Sequence, residues 1–480
     1  MLPDRALSGP HLARLLGEWR SSGPAYASLA RAVRLLVLDG RLPLRTRLPG
    51  ERELAEALGV SRTTATAAYA ALRDEGFLAS KRGAGSWTRL PADADVAHAP
   101  AIGGSDIIDL SCAACAAPEG ALHAALAAAT AELPRHLPGP GYDAAGLPVL
   151  RDAIAAYLTT RGVPTTADQI LVTNGAQHAW TLLLRVLAGP GDRVLTEHPT
   201  YPAALDAVRA IGARAVPVPM LADGWDLDMF EATLRQAAPR LAYVIAEHQN
   251  PTGLTMPAAA RERLVALARA SRTPLVIDDT IAGLHLDGGS APPPVAALDP
   301  EGEVVITTGS TSKLFWAGLR IGWIRANPAL VQRLATARMA LDIASPVLEQ
   351  LITVELLAGA ETIFPRQREG ARARRDALVA ALRSTLPEWR FKVPAGGLSL
   401  WIELDAPRST ALAAIADRHG MRLAAGPRFG VDGAFERYLR VPYALPTPVL
   451  EDAVARLAVA WRSVTESAPP TLQPAPALVA

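Results

Sequence analysis

The sequence contains very little cysteine. Only Cys112 and Cys115 occur in 480 residues, in the segment SCAAC. A Cys-x-x-Cys pair can be a redox pair or half of a metal site, but here no second pair or flanking histidine accompanies it. We interpret the spacing as a coincidence within an alanine-rich stretch. We assign these cysteines no chemistry and predict no metal site.

Long apolar runs are also absent. The opening residues, MLPDRALSGP, lack the apolar core of a signal peptide, and no stretch reaches the length that spans a bilayer. Half of the residues are hydrophobic and a fifth are charged, as in ordinary globular proteins. We therefore expect a cytoplasmic protein, without a membrane partner, that forms two or three domains.

Lysine is scarce enough for each one to be informative. Of 48 basic residues only Lys81, Lys313 and Lys392 are lysines, and all the others are arginines. Only lysine carries an amine that can lose its proton and form an imine. The three lysines could equally be accidental, so their sequence surroundings must decide.

The positive charge is concentrated at the start of the chain. Residues 1–90 contain 14 Arg and Lys against 8 Asp and Glu, whereas the remainder contains 34 against 39. A basic front end on an acidic body predicts an anionic partner for the front end alone. Chance fluctuation in a small domain would give the same balance, so charge alone does not identify the partner.

The pattern of residues 1–90 predicts a small domain of helices followed by a hairpin. Helical segments end near Gly40, Gly59 and Gly76, and FLASKRGAGSWT predicts two short strands around a turn. Two helices joined by a tight glycine turn and followed by a hairpin form a winged helix-turn-helix.

The rest of the chain predicts a linker and an α/β body. Residues 91–106 are rich in Ala, Pro, Gly and Asp, as a linker is. In residues 107–466, apolar strands such as QILVT, RVLTE, PLVIDD and EVVITTG alternate with helices, which predicts a mostly parallel sheet. We place this large part at about 107–345 and a smaller α+β part at about 346–466. Residues 467–480 are predicted to be disordered.

The second helix of the front domain has the features of a DNA-reading helix. Ser61 is its predicted N-cap, and the first turn carries hydroxyls and a guanidinium that suit phosphates or base edges. In the predicted wing, Lys81, Arg82 and Gly83 are placed to approach the DNA backbone. A solvated face of an interaction module is the alternative. The side chains spaced to face inward are Ala65, Ala68, Tyr69 and Leu72.

This segment resembles the GntR-type winged helix. The residues that carry the resemblance are GRLPLRTRLPGERELAEALGVSRTTATAAYAALRDEGFLASKRGAGSWT. The resemblance implies binding to double-stranded promoter DNA through Arg52, Ser61, Arg62, Thr63, Thr64 and Gly83. The chain has Gly50 where the family often has serine, and glycine at an N-cap costs only a few tenths of a kcal/mol.

The body contains the residue types that a pyridoxal-phosphate (PLP) site requires. Such a site needs a lysine, an acid for the pyridine nitrogen, donors for the phenolate oxygen, a stacking aromatic ring and an anion cradle. Lys313 lies in GSTSKLFWAGLRIGW, close to Ser310, Ser312 and Arg320. Arginine and small hydroxyl residues suit a phosphate dianion.

The remaining requirements are met by motifs earlier in the body. Asp278 and Asp279 end an apolar strand, where parallel-sheet enzymes place their ligands. Asn250 begins the turn NPTG, and NGAQ at residues 174–177 opens a helix whose free amides can bind phosphate. Tyr201, in HPTY, is a candidate stacking ring. Each motif alone is common as a turn or a core residue, but their combination in this order favours a cofactor site.

From about Asp106 to Trp461 the chain resembles fold-type I aminotransferases. Combined with the front end, it is similar to a MocR-type regulator of the GntR superfamily. The resemblance implies that Lys313 is the Schiff-base lysine, that Asp278 pairs with the pyridinium, that Asn250 bonds the phenolate oxygen and that Tyr201 stacks. It also implies a phosphate site formed by Gly175, Ala176, Gln177, Ser310, Ser312 and Arg320.

Two further roles follow from the same resemblance. Tyr142, in GPGYDAAGLPVLR, matches a tyrosine that reaches the phosphate from the other subunit of a homodimer. Arg440, in RYLRVPY, matches the arginine that receives a substrate carboxylate, and an ordinary strand arginine is an equally good interpretation. Many relatives carry a tyrosine shortly after the aspartate, where this chain has Thr280 and Ile281. Because that donor is missing, the efficiency of transamination is in doubt.

The sequence therefore predicts a transcriptional regulator that senses PLP or a small amino compound. The alternatives are a working aminotransferase with an appended DNA-binding domain and a degenerate fold that serves only for dimerisation. The effector, the operator and the direction of regulation do not follow from the residues.

Overall fold

The computed structural model describes residues 5–17, 19–20, 23–38, 42, 46–81, 85–89, 107–288 and 291–466. The predicted linker 91–106, the predicted tail 467–480 and the wing residues Arg82 and Gly83 lie outside these ranges. Within them, no helix combines the length and the apolar character needed to cross a membrane.

The N-terminal domain is a winged helix-turn-helix. Its helices are α1 (Gly9–Leu16), α2 (Ala25–Leu38), α3 (Glu51–Leu58) and α4 (Arg62–Asp74), and its strands are β1 (Arg5–Ala6), β2 (Thr46–Arg47), β3 (Leu78–Lys81) and β4 (Gly85–Thr88). The four strands form a sheet in the order β1-β2-β4-β3. The predicted helices before Gly59 and Gly76 and the predicted hairpin are confirmed.

Local signals explain where the two helices of the motif begin and end. Gly59 adopts a left-handed conformation at φ 62° and closes α3, as glycine does at helix C-termini. The Ser61 side chain accepts a hydrogen bond from the Thr64 amide at 3.1 Å and so caps α4. The predicted inward face of α4 is confirmed, because Ala65, Ala68, Tyr69 and Leu72 are all buried.

The large part of the body is built on an eight-stranded mixed sheet. Its strands are β6 (Ile170–Thr173), β7 (Arg193–His198), β8 (Arg214–Leu221), β9 (Gly224–Trp225), β10 (Leu241–Val244), β11 (Leu275–Asp278), β12 (Val305–Ser310) and β13 (Gly322–Arg325), preceded in the chain by β5 (Ile108–Asp109). The order is β6-β13-β12-β11-β10-β7-β8-β9. Strands β12, β11, β10, β7 and β8 are parallel, whereas β13 is antiparallel to both of its neighbours.

Helices cover this sheet, as the hydrophobic strands require. They are α5 (Glu119–Glu132), α6 (Pro148–Thr160), α7 (Ala176–Leu187), α8 (Pro202–Ala210), α9 (Leu227–Ala237), α10 (Ala258–Ser271), α11 (Pro328–Arg338) and α12 (Val347–Ala358). Strands β10 and β12 in the interior of the sheet, and β6 at its edge, are buried along their whole length. The predicted α/β fold with a mostly parallel sheet is confirmed.

The small part combines long helices with a short antiparallel sheet. It contains α13 (Ala360–Thr385), β14 (Arg390–Phe391), β15 (Ser399–Glu403), α14 (Ser409–Arg418), β16 (Met421–Arg422), β17 (Ala424–Ala425), β18 (Tyr438–Pro442) and α15 (Thr447–Glu466). Strands pair in the order β14-β15-β18-β17, and β16 pairs separately with β5.

Helix α13 packs on two hydrophobic cores, first on that of the large part and then on that of the small part. Ile363 and Phe364, in its early turns, pack in the core of the large part. Ala371 and Leu378, further along the helix, pack in the core of the small part. The change of core falls later in the chain than residue 346, because the side chains of α12 also face the large core. Residues Ile108 and Leu110 join the small core, so the described body starts there.

Candidate functional site

A cavity of about 820 Å³ lies where the large part meets the small part. It is lined from the carboxyl ends of β10, β11 and β12, from the start of α7 and from the segment that follows β5. This is the edge at which sheets of this type place ligands. Of the residues predicted from sequence, those brought together in its lining are Ala176, Gln177, Tyr201, Asn250, Asp278, Ser310, Ser312, Lys313, Arg320 and Arg440.

Lys313 lies in a short π-helical turn, Ser312–Trp316, that directly follows β12. Its Nζ donates a hydrogen bond to the carbonyl oxygen of Ala113 at 2.6 Å. Burial lowers the pKa of the Lys313 amine, and the positive charge of Arg440 acts in the same direction. A lowered pKa favours the neutral amine, which is the form that attacks a carbonyl group.

Asp278 ends β11 and faces the cavity, with both carboxylate oxygens hydrogen-bonded. The Thr280 amide donates to Oδ1 at 2.9 Å, and the Tyr243 hydroxyl donates to Oδ2 at 2.5 Å. The neighbouring Asp279 points elsewhere: it is buried, and its pKa is raised to about 7, mainly by that burial and against the attraction of Arg161. Of the two aspartates, Asp278 is the one that lines the cavity.

The start of α7 and the turn after β12 form an anion-binding corner. Gly175 is the N-cap of α7 and supplies no capping side chain, so the amides of the first turn are available to a ligand. Arg320 donates from Nη2 to the Asn174 carbonyl at 2.9 Å, which holds its guanidinium beside this helix. Ser310 and Ser312 are linked by their hydroxyls at 2.9 Å.

The geometry of this corner requires glycine at position 175. The residue has φ 87°, a left-handed conformation that side chains disfavour. An added Cβ would lie 2.7 Å from Nη2 of Arg320, too close for the guanidinium to keep its place. Gln177 lies in the first turn of α7. Its side-chain amide is already engaged, because it donates to the Ala203 carbonyl at 2.9 Å, so the backbone of Gln177 is the part that is available to a ligand.

Asn250, Tyr201 and Thr280 line the middle of the cavity. Among the described residues, Oδ1 of Asn250 and Oγ1 of Thr280 are buried without a hydrogen-bond partner. Burial, followed by the charge of Asp278, raises the pKa of Tyr201, which keeps its ring neutral. Buried polar groups in native proteins nearly always have partners, so unsatisfied atoms in a cavity point to a polar ligand.

Arg440 lies on β18 and is 5% exposed. It donates from Nη2 to the Ser111 carbonyl, and its guanidinium lies 5.2 Å from the centre of the Phe429 ring. Its Nε has no partner among the described residues. Burial lowers the pKa of Arg440 to about 10, so the group is still a cation near neutral pH. A buried cation that lines a cavity with a free donor is suited to a carboxylate.

The structure also brings in residues that the sequence interpretation missed. The segment Ser111–Ala114 lines the cavity, and its carbonyls accept hydrogen bonds from both Lys313 and Arg440. Cys112, to which we assigned no chemistry, is part of this lining and is exposed. Tyr243 was also missed, because its buried strand has the composition of an ordinary core strand.

Two predicted cofactor residues, the N-cap Gly175 and Tyr142, are not part of the described cavity lining. Tyr142 lies in the segment between α5 and α6 and is 70% exposed. Within the described residues, no group of three or more His, Cys, Asp or Glu side chains is placed to hold a metal ion.

The predicted DNA-reading turn forms an exposed tip on the N-terminal domain. Ser61, Arg62 and Thr63 are exposed at the start of α4, and the Ser61 hydroxyl lies 2.7 Å from the Thr63 hydroxyl. Arg52 is exposed in the first turn of α3. Lys81 is exposed at the end of β3. A hydrogen bond between Thr66 and Glu51 at 2.7 Å joins α4 to α3 and holds the two helices in register.

The residues of the cavity fit pyridoxal phosphate. The amine of Lys313 suits the aldehyde, the carboxylate of Asp278 suits the ring nitrogen, and the uncapped start of α7 with Arg320 suits the phosphate. Among the described residues, the amide oxygen of Asn250 and the hydroxyl of Thr280 are buried without a partner, which points to a polar ligand in the cavity. When bound, this cofactor supplies an electrophilic carbon and an electron sink for amino compounds.

Comparisons with known proteins agree with this geometry. The family described as aminotransferase class I and II matches residues 110–457, and the family described as bacterial regulatory proteins, gntR family, matches residues 25–87. The fold and the cavity thus define a fold-type I aminotransferase domain attached to a DNA-binding domain. The chain belongs to the aminotransferase class I and II family and carries a GntR domain, the combination that MocR-type regulators have.

Individual relatives include regulators and enzymes. An uncharacterized HTH-type transcriptional regulator of Bacillus subtilis, YisV, is 27% identical over 437 residues, which is 81% of this chain and 86% of that protein. The probable rhizopine catabolism regulatory protein MocR of Rhizobium meliloti is 33% identical and covers 64% of this chain and 66% of its own length.

A solved structure is similar in fold as well as sequence. It is LysN, an alpha-aminoadipate aminotransferase of Thermus thermophilus, complexed with N-(5'-phosphopyridoxyl)-L-leucine. It has a TM-score of 0.70 and 29% identity, and the match covers 75% of this chain and 94% of that one. The family and this complex indicate that the chain depends on pyridoxal phosphate.

Proposed function

We propose that this protein regulates transcription by sensing pyridoxal phosphate or a small amino compound in its body while its N-terminal domain holds promoter DNA. One observation supports this most strongly. The same chain presents an exposed hydroxyl and guanidinium tip on α4 and, separately, a cavity that collects Lys313, Asp278 and Arg440. Because promoter DNA lies in the cytoplasm of bacteria, we also propose that the protein works there.

In this proposal, each predicted residue contacts a different part of the cofactor. Lys313 forms the covalent link, Asp278 holds a proton at the ring nitrogen, Asn250 hydrogen-bonds the phenolate oxygen and Tyr201 stacks on the ring. The phosphate is held by the backbone after Gly175, at Ala176 and Gln177, and by Ser310, Ser312 and Arg320. Arg440 receives the carboxylate of an amino-acid effector, an assignment supported by its Nε, which has no partner within the described part of the chain.

On the DNA, Ser61, Arg62, Thr63 and Thr64 approach the major groove. Arg52 and Lys81, with Arg82 and Gly83 of the wing, meet the phosphate backbone. Residues 91–106 join the two domains and carry the signal between them.

We further propose that the protein works as a homodimer. Tyr142 is exposed and does not line the cavity of its own chain. Its predicted role is to reach the phosphate of the second copy, which exposure permits and burial would prevent.

The test is a gel-shift titration of the full chain on a fragment from the promoter region next to its own gene. Specific binding at low salt should weaken steeply as salt rises, because phosphate contacts release counterions. Adding pyridoxal phosphate or an effective amino compound should change the affinity for that fragment. Failure to bind any such fragment at low salt would exclude the regulator.

An active aminotransferase with an appended DNA-binding domain is the second candidate. It is supported by four predicted residues, Lys313, Asp278, Asn250 and Arg440, that line the same cavity. Against efficient turnover, Thr280 and Ile281 stand where many relatives have a tyrosine. Turnover of an amino donor to its keto acid at ordinary enzymatic rates, with no change in DNA affinity, would favour the enzyme over the regulator.

A further inference from the structure

Tyr243 lies beside the cofactor aspartate, on the neighbouring strand. Its hydroxyl donates to Oδ2 of Asp278 at 2.5 Å. The register pairs Tyr243 of β10 with Val276 of β11. Because side chains alternate along a strand, Asp278 falls on the same face as Val276 and diagonally next to Tyr243.

The surrounding core holds this tyrosine in one orientation. Tyr243 is 1% exposed, and β10 is paired on both sides, with β7 and β11. Its ring packs against Trp180 with centroids 4.7 Å apart, and the indole in turn donates to the Ala204 carbonyl at 3.2 Å. Burial, followed by the charge of Asp278, raises the pKa of Tyr243 well above its usual value, so the hydroxyl keeps its proton near neutral pH.

Other ionisable groups face Asp278 but do not share its hydrogen bonds. Lys313 and Tyr201 face it across the cavity, and Asp279 and Glu197 act on it through space. The Glu197 carboxylate is occupied by the amides of Ile245 and Gln249 and by the Trp225 indole. Burial raises the pKa of Glu197 to about 8. Among the described residues, Asp278 receives its hydrogen bonds from Tyr243 and the Thr280 amide.

We propose that Tyr243 is a positioning residue for the cofactor: it fixes the Asp278 carboxylate and withdraws part of its negative charge. This inference rests on the proposed binding of pyridoxal phosphate to Lys313. Tyr243 thereby sets the pH at which the linkage between Lys313 and the cofactor gains its proton. The chain lacks the usual tyrosine at the phenolate oxygen, so this contact at the nitrogen end tunes the ring from the opposite side.

The direction of the effect follows from charge. Without the Tyr243 hydroxyl, the negative charge on Asp278 is compensated less by the protein. A less compensated carboxylate stabilises positive charge on the ring and on the linkage at Lys313. The protonated form should therefore persist to higher pH when the hydroxyl is removed.

The experiment is a pH titration of the visible absorbance band of the cofactor-loaded full chain. In Tyr243→Phe we expect the midpoint to rise by roughly half a unit to one unit, since one hydrogen bond to a charged group is lost. The matched control is Tyr443→Phe, which removes another buried tyrosine hydroxyl, bonded to the Gly396 carbonyl at 3.1 Å. Its midpoint should stay at the wild-type value.

A second variant protects the test against loss of folding. Tyr243→3-fluorotyrosine keeps the ring and the hydroxyl but makes the phenol a stronger donor. Its midpoint should move below the wild-type value, opposite to Tyr243→Phe. Opposite shifts in the two variants cannot come from a general loosening of the core.

The outcomes separate this inference from the proposed function. A wild-type protein that develops no visible band with pyridoxal phosphate overturns both. A normal wild-type band whose midpoint is unchanged in both Tyr243 variants, or is moved as far by Tyr443→Phe, overturns the role of Tyr243 alone.

Discussion

The N-terminal domain and the body assemble their functional surfaces in opposite ways. The predicted DNA-reading tip consists of four consecutive residues, Ser61 to Thr64, at the N-cap and first turn of α4. The cavity is assembled from Asn250, Asp278, Lys313 and Arg440, which lie on different strands and turns and are held together by the packing of two cores. Ser61, Arg62 and Thr63 of the tip are exposed to solvent, whereas these four cavity residues are buried or half-buried.

This difference has consequences for the chemistry that each surface performs. An exposed arginine keeps its charge and its mobility, which suits contact with phosphates over many sequences. A buried lysine or arginine has its pKa lowered, as Lys313 and Arg440 do, and its few hydrogen bonds are specific. The tip should therefore respond to salt, and the cavity should respond to ligand chemistry and pH.

Lys313→Ala should give the largest effect, and this effect should be confined to the cavity. We expect the visible band of the linked cofactor to be replaced by that of unlinked pyridoxal phosphate, because no other amine lines the described cavity. The control is Lys392→Ala, an exposed lysine whose Nζ donates to the Ala222 carbonyl. That variant should keep the band. Binding to promoter DNA at low salt should survive in both variants, measured by gel shift.

A band of unchanged intensity and position in Lys313→Ala would contradict the assignment of the covalent link. Loss of the band in Lys392→Ala as well would show that the readout reports folding instead of the linkage.

Arg440→Ala should weaken the response to the effector without changing the binding of the cofactor. The concentration of an amino-acid effector needed for a half-maximal response should rise roughly 30-fold or more, since a buried charge-assisted pair is lost. The visible band should remain. The matched control is chemical: an amine that lacks the carboxylate should act equally on the variant and the wild type. An unchanged response to the amino acid would make Arg440 an ordinary strand arginine.

Arg62→Ala tests the exposed tip. Affinity for the promoter fragment should fall by about tenfold, the usual effect of one guanidinium contact. The visible band and its pH midpoint should not change. Arg14→Ala is the control, because it removes the same charge from the exposed face of α1 in the same domain. If both variants weaken binding equally, net charge and not the tip governs the affinity.

Gly175→Ala should give the smallest effect, a fall in cofactor affinity of roughly five- to tenfold, measured by absorbance titration. The added methyl group displaces Arg320 as well as straining the backbone. Gly191→Ala is the matched control: Gly191 has φ 85°, almost the same conformation, but none of the described atoms lies within 4 Å of the position of a Cβ. Equal effects on cofactor affinity would show that backbone strain alone is responsible.

The extent to which the sequence predicted each region follows the same contrast. In the N-terminal domain, the cap at Ser61, the glycine stop at Gly59 and the buried face of α4 were all predicted, because each depends on neighbours within one or two helical turns. In the large part of the body, strands β6, β7, β10, β11 and β12 were predicted from their apolar runs. Strand β8, with two prolines, was not, since proline opposes a strand except at special positions.

The cavity shows where prediction from sequence ends. Sequence motifs predicted Lys313, Asp278 and Asn250 as site residues, because a cofactor site requires an amine, a carboxylate and a hydrogen-bond donor. No pattern indicated that Tyr243 bonds Asp278, because that contact depends on the register of β10 and β11. Likewise, the carbonyls of Ser111 and Ala113 reach residues hundreds of positions away, and a backbone carbonyl carries no sequence signal at all.

Composition and local patterns were enough to predict the two-part organisation, the α/β character of the body and the special position of Lys313 among three lysines. These properties are local or compositional, so they survive without knowledge of the packing. The packing of the folded chain was needed to show that Asp278 and not Asp279 faces the cavity, that Cys112 lines it, and that α13 packs first on the core of the large part and then on that of the small part. Those outcomes depend on strand register and on the side from which each helix packs, which the order of residues alone does not specify.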